Sequence, residues 1–416
     1  MNHLHKSAKT MIGKIIADNM PQKSVENALK GQDFSQSNIY IVAIGKAAWT
    51  MAKSAVDFIG DKVKEGVVIT KYGHSLGEIP KMTIYEAGHP TPDENTISAT
   101  TAALALVESL GAGDVVVFLV SGGGSALFEA PQDGISLEDL ATLTNALLAS
   151  GADITEINTL RKRMSKVKAG RFAELCKPAN MFAIVLSDVL GDRLDIIASG
   201  PAAPDQSTSA EALYIVDKYG LKLSASQLDY LHCETPKTTD NVKTIITGSV
   251  RSLCESAAAC AKELGFTSYI LTTSLNCEAA DAGKFLSAIA LDIHRGISHF
   301  QKPCAVIAGG ETVVQVTGSG MGGRNQELVL SAACGIAGLE DTVIFSLGSD
   351  GTDGPTDAAG GIVDGDTVAK LAAHGLNIDK ILANNDSYNG LKSVGGLIIT
   401  GPTGTNVNDV AVVLCM

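Results

Sequence analysis

The sequence predicts an α/β protein made of two α/β domains, the first of which is built on a parallel, doubly wound sheet. The chain has 416 residues, and single hydrophobic cores stop growing at about 250–300 residues, so two domains are expected. Hydrophobic residues make up 45% of the chain and aromatic residues only 5%, which favours layered α/β packing. Short β-rich runs alternate with amphipathic helical stretches, the pattern of parallel strands joined by helices.

The first half of the chain shows this alternation most clearly. Helical spacing over residues 6–30, interrupted at Pro21, predicts helices ahead of the first strand. Strands are predicted at 39–44, 66–70, 83–87, 115–120 and 181–186, and helices at 47–59, 95–110, 137–150 and 154–175. Ligands of doubly wound sheets bind at the carboxyl ends of the strands, so the residues that follow each strand are the first candidates for function.

A polar, proline-containing segment interrupts the alternation between residues 201 and 243, with one helix-like stretch near 213–219. We place the domain boundary near its end, which gives an N-terminal domain of residues 1–238 and a C-terminal domain of residues 239–416. Beyond it, strands are predicted at 244–247, 267–272, 304–308, 312–317, 342–347, 396–399 and 410–414, and helices at 249–264 and 279–300.

Charge and cysteine usage exclude several classes of function. The net charge of −13 disfavours nucleic acid as a partner, because phosphate backbones attract basic surfaces. The eight cysteines form no CxxC pair and are interpreted as buried apolar residues in a reducing compartment. The N-terminus lacks a continuous apolar signal region, and no segment has the length of a membrane span. These features predict a cytoplasmic protein.

Three glycine-rich runs follow β-like stretches, at residues 121–126, 318–327 and 348–361. Glycines bunched at strand ends aim several backbone N–H groups at one point, which is how proteins hold phosphate. The first run, SGGGSA, predicts an anion cradle made of the backbone N–H groups of Gly122, Gly123, Gly124 and Ser125, with the Ser121 and Ser125 hydroxyls as extra donors. Its alternative is a tight strand-to-helix turn without a ligand. Together the runs suggest one polyanion held with a metal, which is typical of phosphoryl chemistry.

The second run contains a weak dinucleotide motif, because Gly318, Gly320 and Gly323 fit G-x-G-x-x-G. Fewer than about a hundred residues remain for a dinucleotide domain, and no acid closes a second strand where that fingerprint requires one. We therefore reject an NAD site. Arg324 stands at the predicted start of a helix, where a guanidinium can bind phosphate or carboxylate; a surface ion pair is the alternative.

Further candidates lie at strand ends. Asp350 follows a predicted strand and is a candidate metal ligand or general base, whereas Asp353 is left open between a ligand and an Asx turn. Lys46 stands at a strand-to-helix turn, where it could meet phosphate, and Asp188 ends another strand in the place expected of a catalytic aspartate. His89 is interpreted as a loop residue, and the alternative is that it lines the site.

Taken together, these stretches resemble the glycerate 2-kinase family, some members of which are called hydroxypyruvate reductase and whose C-terminal half is known as the MOFRL domain. The resemblance covers nearly the whole chain, and the motifs that carry it are IGKAA at 44–48, GHPTPDE at 88–94, SGGGSA at 121–126, NTLRKRMSKVKAGR at 158–171, LSDVLGD at 186–192, SGP at 199–201, GGET at 309–312, GGRNQE at 322–327, SDGTDGPTDAAG at 349–360, NNDSY at 384–388 and TGPTGTNVNDV at 400–410. One departure is Arg163-Met164, where the family often has His-Leu.

The resemblance implies a Rossmann-like N-terminal domain, a MOFRL-type C-terminal domain and an active site in the interdomain cleft. It implies phosphorylation of the glycerate 2-hydroxyl with ATP and Mg²⁺. By this resemblance Lys46, Asp188 and Arg324 are catalytic. Nucleotide binding is assigned to the Ser121–Ser125 loop, Glu311 and Asn325, and metal binding to Asp350 and Asp353. Asp188 would deprotonate the attacking hydroxyl or bind the metal, while Lys46 and Arg324 would neutralise the phosphoryl group and the carboxylate.

Three other interpretations remain open. The chain could be an NAD(P)H-dependent hydroxypyruvate reductase, a reading that its misplaced glycine motif disfavours. It could be a sensor of nucleotides or sugar phosphates that binds without turnover. It could also be a kinase for another small hydroxy acid, such as tartronate or a longer aldonate. The expected partners are glycerate and ATP, without nucleic acid or membrane, and the oligomeric state is left between monomer and homodimer.

Overall fold

The structure is a computed structural model that describes residues 3–35 and 37–416. Its chain divides into two compact units, one of Val25–Thr247 and one of Met1–Ser24 with Gly248–Met416. The first unit contains strands β1 (Asn38–Ile44), β2 (Val63–Lys71), β3 (Met82–Ala87), β4 (Asp114–Val120), β5 (Asn180–Leu186) and β6 (Val242–Gly248). The helices from the N-terminus through this unit are α1 (His3–Asp18), α2 (Pro21–Leu29), α3 (Ala48–Ile59), α4 (Glu94–Glu108), α5 (Gly124–Leu127), α6 (Leu137–Ala149), α7 (Ile154–Arg163), α8 (Arg171–Leu175), α9 (Ser209–Tyr219) and α10 (Ala225–His232).

The second unit carries the remaining elements. Its strands are β7 (Thr267–Leu275), β8 (Cys304–Gly310), β9 (Thr342–Gly348), β10 (Gly360–Asp364), β11 (Leu397–Ile398) and β12 (Asp409–Cys415). Its helices are α11 (Val250–Glu263), α12 (Ala279–Arg295), α13 (Arg324–Gly335), α14 (Thr367–Ala373), α15 (Ile378–Ala383) and α16 (Ser387–Ser393). Helix α1 belongs with this unit because it packs on α11, where Asp18 accepts a hydrogen bond from Ser256.

The first sheet has the strand order β3-β2-β1-β4-β5-β6, and its pairings from β3 to β5 are parallel. This is the doubly wound, Rossmann-like order, as the sequence predicts. Strands β1, β4 and β5 are nearly continuous apolar runs, since both faces of a parallel sheet are covered. The strand order reverses between β1 and β4. Loops that leave two such strands diverge and open a crevice at the carboxyl edge of the sheet.

The second sheet is mixed, with the order β11-β10-β9-β12-β8-β7. Strands β7 and β8 run parallel, whereas β12 runs antiparallel to both β8 and β9. The start of β12 therefore lies beside the ends of its two neighbours, and Asp409 pairs with Gly310 on one side and Gly348 on the other.

Two predicted elements differ in the structure. The predicted helix 154–175 is interrupted between α7 and α8, because Ala169 and Gly170 adopt φ values of 57° and 78°, which a right-handed helix cannot accommodate. The predicted strand 312–317 is absent apart from a single bridge at Val313. Strand β10 was missed, since its two leading glycines resemble loop sequence.

The division into units also differs from the predicted boundary between residues 238 and 239. Strand β6 joins the first sheet, which moves the division to residue 247, and the first 24 residues group with the second unit. No helix in the described parts of the chain is long and apolar enough to cross a membrane.

Candidate active site

The candidate residues fall into two groups, one in each unit. The first group lies at the crevice edge of the parallel sheet, where the loop after β1 meets the loop after β4. The N–H of Lys46 donates to the carbonyl of Gly122 over 2.9 Å. The Ser121 hydroxyl donates to Ile44 and accepts from the N–H of Ala47, at 3.1 Å each. Ser121 is buried, so its hydroxyl fastens the two loops together, a positioning role and not that of an additional phosphate donor.

The three glycines of this loop are each required by a neighbour. A Cβ on Gly122 would lie 3.2 Å from the carboxyl carbon of Asp188 and collide with its oxygen. Gly123 has φ +86°, and its Cβ would lie 2.9 Å from the His89 ring. A Cβ on Gly124 would lie 2.8 Å from that of Ala198. Side chains from other segments therefore pack directly against the backbone of this run. A simple strand-to-helix turn would not require three glycines for that reason.

The backbone N–H groups of this loop are not used by carbonyl groups in the part of the protein that the structure describes. Among the described residues, no backbone carbonyl accepts from the N–H of Gly122 or Gly123. Gly124 and Ser125 open α5, and the first N–H groups of a helix have no partner within it. The Ser125 hydroxyl lies 3.0 Å from that of Ser199. These four adjacent N–H groups fit the anion cradle that the sequence predicts.

Charged and titratable side chains surround the cradle. Lys46 is half-buried with its Cγ 3.4 Å from the Cβ position of Gly123, and Asp188 follows β5 next to Gly122. Burial, reinforced by the positive charge of Lys46, lowers the pKa of His89. The imidazole is therefore neutral near pH 7 and can accept or donate a hydrogen bond without adding charge.

The second group centres on Arg324 at the start of α13. Its Nε and Nη2 donate to the two oxygens of Asp409 at 2.5 and 3.1 Å, and Nη1 lies 3.0 Å from Glu311. Burial alone would lower the pKa of Arg324, but the hydrogen bond and charge of Asp409 raise it above its usual value. Burial raises the pKa of the Asp409 carboxyl, and the hydrogen bond and charge of Arg324 offset part of that rise.

Asp353 lies beneath this arginine. Its carboxylate accepts the N–H groups of Asn325 and Gln326 at 3.2 and 2.9 Å, which fixes the first turn of α13. Burial raises the pKa of Asp353 to about 6. The Asn325 amide is also engaged at both ends, by Asp353 and by the Ser346 hydroxyl at 3.3 and 2.6 Å, and is 1% exposed. Both residues position α13, and neither presents a group to solvent.

Asp350 is placed differently. One of its oxygens accepts the N–H of Thr352 at 2.9 Å in an Asx turn. The same oxygen lies 3.3 Å from the position that a Cβ on Gly348 would occupy, and so does one oxygen of Asp409. Gly348 thus lets the half-buried Asp350 approach the Arg324–Asp409 pair.

The first part of the second glycine run does not form another cradle. The N–H groups of Thr317 and Gly318 donate to the Asn385 side chain, that of Ser319 to Asn384, and that of Met321 to Asp386. Because the segment 384–386 satisfies these donors, residues 317–321 form a structural loop that leads to Arg324. The cradle for which the structure gives the clearest support is therefore the one at residues 122–125.

Comparisons with known proteins agree with this arrangement. A family model described as a domain of unknown function (DUF4147) matches residues 7–232, and the model of the MOFRL family matches residues 304–409. The chain is 54% identical to D-glycerate 2-kinase from Thermotoga maritima, with 98% of each protein covered. It is 42% identical to glycerate 2-kinase from Pyrococcus horikoshii, covering 97% of this chain and 96% of that protein. This chain belongs to the glycerate 2-kinase family.

The fold of the family is also shared. A crystal structure of glycerate kinase from Thermotoga maritima matches with a TM-score of 0.97 at 53% identity, covering 99% of both chains. The family resemblance read from the motifs is confirmed, and so is the fold of two α/β domains.

Sequence reasoning missed Asp409 and ranked His89 low. The alternative interpretation of His89, that it lines the site, is the one that the structure favours, because its ring lies against the cradle; the motif GHPTPDE has no spacing signal that could have decided this. Asp409 begins the last strand, and a parallel reading of the sheet would put that end far from the functional edge. Only the antiparallel course of β12 brings it to Arg324.

Proposed function

We propose that the protein is a D-glycerate 2-kinase, which transfers the γ-phosphoryl group of ATP to the 2-hydroxyl of D-glycerate and yields 2-phosphoglycerate and ADP. The observation that carries the proposal is the nearly full-length similarity to the D-glycerate 2-kinase of Thermotoga maritima. A glycine cradle flanked by Lys46 and Asp188 supports it, because phosphoryl transfer depends chiefly on positioning and charge neutralisation.

The cradle fits the phosphates of a nucleotide. Its four N–H groups lie at the switch point of a doubly wound sheet, where such folds bind nucleotides. Bound ATP supplies the phosphoryl group and the leaving ADP. Lys46, half-buried beside Gly123, offsets the negative charge of the phosphates as a point charge. Ser121 holds the two loops in register while Gly122–Ser125 make the contact.

The acidic residues fit Mg²⁺ only as a partial site. Within residues 3–35 and 37–416, no group of three or more His, Cys, Asp or Glu side chains is arranged to hold a metal ion. Mg²⁺ usually takes one or two carboxylates and completes its shell with water and substrate phosphates, so two carboxylates suffice. Asp188 beside the cradle in the first unit and Asp350 in the second unit are separate candidates, and a single carboxylate is enough for such a shell. Asp353 is a weaker one, since its oxygens accept the N–H groups of α13.

The remaining roles follow from charge and position. Asp188 lies next to Gly122, where it can orient and deprotonate the attacking hydroxyl or share the metal. Arg324 has five N–H donors, of which Asp409 and Glu311 engage three. Two donors remain for negative charge that develops on the phosphoryl group. Glu311 orients the guanidinium of Arg324 through its ion pair with Nη1. Asn325 stabilises the first turn of α13, the helix on which Arg324 lies.

The test is a coupled assay. The protein is incubated with D-glycerate, ATP and Mg²⁺, enolase alone is added, and phosphoenolpyruvate absorbance is followed. A rise confirms phosphorylation at the 2-hydroxyl, because enolase does not accept the 3-phosphate. ADP without absorbance would leave a kinase with a different product or acceptor. If no ADP forms, the proposal fails and NADH oxidation with hydroxypyruvate becomes the next assay. The Asp188→Asn variant is the inactive control.

Finer features belong to the same proposal. All eight cysteines are free thiols, which suits the reducing cytoplasm, and we expect the enzyme to act there as a monomer or homodimer. Light scattering of the eluted protein distinguishes those two states.

A further inference from the structure

The basic stretch at residues 158–171 contains one arginine that stands apart from its neighbours. Lys162, Arg163, Lys168 and Arg171 each reach a carboxylate or a carbonyl within the first unit. Arg161, near the end of α7, has no side-chain hydrogen bond and no ion pair with any described residue, and its Nε is buried without a partner.

An unpartnered buried donor costs about 1–3 kcal/mol, and more when it is charged. Another buried cation lies nearby: burial lowers the pKa of Lys168, its ion pair with Glu129 opposes this, and the positive charge of Arg161 lowers that pKa further. A bound anion that accepts hydrogen bonds from Arg161 would explain why this donor is buried.

Arg161 lines a cavity of about 210 Å³ between α6, α7 and the loop after β3. The polar groups that share the cavity are Thr91, Thr144 and Asn145, and its other walls include Pro92 and Leu140. None of the described residues that line it is acidic. A water molecule needs about 10–15 Å³ of such space, so the cavity has room for a small hydroxy acid.

The cavity adjoins the phosphate cradle. Pro90–Pro92 form one wall, and the preceding residue is His89, whose ring lies against Gly123. His89 therefore connects the wall of the cavity directly to the loop that forms the cradle. This proximity suits the acceptor of a phosphoryl group better than a distant regulator.

We propose that this cavity holds the carboxylate end of the small hydroxy acid that the enzyme phosphorylates, with Arg161 binding the carboxylate and the Asn145 amide donating a further hydrogen bond. The Thr144 hydroxyl already donates to the carbonyl of Leu140 and is left to accept from a hydroxyl of the ligand. The inference rests on the proposed kinase function. A guanidinium binds a carboxylate through two parallel hydrogen bonds. An alcohol without a carboxylate leaves the arginine unpaired and is rejected on that ground. Lys46 and Arg324 are then left to the phosphoryl group.

The experiment compares wild type with Arg161→Met by calorimetric titration and by turnover. Titrants are D-glycerate, D-lactate, which keeps the carboxylate, and glycerol, which lacks it. We expect wild type to bind both acids and not glycerol, and the variant to lose about 10- to 100-fold in affinity and in kcat/KM for D-glycerate, with the KM for ATP unchanged. The affinity of Arg161→Lys for D-glycerate should lie between those of wild type and Arg161→Met. Its ammonium group keeps the positive charge but cannot form two parallel hydrogen bonds to a carboxylate.

The control is Arg193→Met, which removes an exposed arginine of the same unit that pairs with Asp195 and should leave both acids bound. Because Arg161→Met removes an unsatisfied buried donor and leaves no partner unpaired, the variant should melt no lower than wild type without ligand, and it should lose the stabilisation by D-glycerate.

The outcomes separate the two proposals. Unchanged glycerate binding and KM in Arg161→Met overturn the inference while the kinase stands. Arg161-dependent binding of acids without phosphorylation by wild type overturns the kinase and leaves the carboxylate site. If wild type binds neither acid, the inference is wrong.

Discussion

Asp409 sets what Arg324 can do. It holds Nε and Nη2 of the arginine from a buried position at the start of β12, so the guanidinium cannot rotate to follow a ligand. A donor fixed before the reaction stabilises developing charge without reorganisation. The two carboxylates around it also outweigh its single positive charge. Arg324 therefore acts through directed hydrogen bonds more than through net charge.

We expect Asp409→Asn to lower kcat by about 10- to 100-fold with little change in the KM for ATP, because the arginine loses the charged half of its support. Steady-state kinetics with D-glycerate and ATP measure this. Glu311→Gln is the comparison, since Glu311 is 45% exposed and such pairs are worth about 1 kcal/mol or less. Equal losses in both variants would remove the special role of Asp409.

Residues at the ends of parallel strands could be predicted from the sequence, and residues at the antiparallel strand could not. Lys46 and Asp188 follow β1 and β5, where a run of apolar residues gives way to polar ones, so the functional edge is visible in the sequence. Asp409 precedes a strand, and only the pairing of β12 with β8 and β9 reveals its place. The burial of Asn325 behind Ser346 was equally invisible, because it depends on contacts between elements.

At the scale of elements, the cradle loop makes a prediction about glycine. Gly123 and Gly220 both have positive φ, but a Cβ on Gly123 meets His89 whereas Gly220 faces open space. Gly123→Ala and Gly220→Ala should lose similar stability from the backbone, about 1 kcal/mol. Only Gly123→Ala should also raise the KM for ATP, by about tenfold or more, because the cradle shifts.

Thermal melting and steady-state kinetics on both variants supply the two measurements. Normal nucleotide kinetics in Gly123→Ala would mean that phosphates do not bind at this loop. A raised KM in Gly220→Ala would mean that general destabilisation, and not the cradle, is being measured.

Helix α1 is tied to the second unit through a titratable contact. His5 Nε2 lies 2.9 Å from Asp364 at the end of β10. This hydrogen bond, helped by Lys370 and Thr367 against the opposing effect of burial, holds the pKa of Asp364 well below its ordinary 3.8. A carboxyl with a lowered folded pKa adds stability above its unfolded pKa, and that stability is lost as pH falls through the folded value.

Asp364→Asn should therefore destabilise the protein by about 1 kcal/mol at pH 7, and the difference from wild type should shrink as pH drops below about 4. Thermal melts across pH 3–7 measure this. Asp57→Asn is the control, because Asp57 is 59% exposed in its pair with Lys53, and it should change little at any of these values. A difference independent of pH would show that Asp364 acts by shape alone.

Most elements could be predicted from periodicity, and the failures have a common cause. The interruption after α7 arises where Lys168 turns inward to donate to the carbonyls of Ser125 and Phe128. The basic sequence around Lys168 is compatible with a helix, and it gives no sign that this lysine is fully buried. Its partner in the core, Glu129, lies 3.3 Å away, and such a pairing across sequence is set by tertiary packing.

At the scale of the whole molecule, composition and alternation were sufficient to predict two α/β domains but not their limits. The predicted limit at residue 238 follows a proline-containing stretch, whereas the compact unit runs through β6 to Thr247. Helix α1 joins residues 248–416 because its apolar face packs on α11. The order of elements along the sequence does not show that an N-terminal helix packs with the C-terminal part of the chain.

The proposed roles assign Lys46 and Arg324 to the same transferring phosphoryl group, and this assignment is open to a direct test. Lys46→Met and Arg324→Met should each lower kcat by about 10³-fold or more, because each removes neutralisation of the same transition state. Residues that act as one unit are grossly non-additive, so the double variant should be little worse than the poorer single one. Independent roles would instead multiply the two losses. Enolase-coupled turnover of the four proteins decides between these outcomes, with melting temperatures checking that each variant is folded.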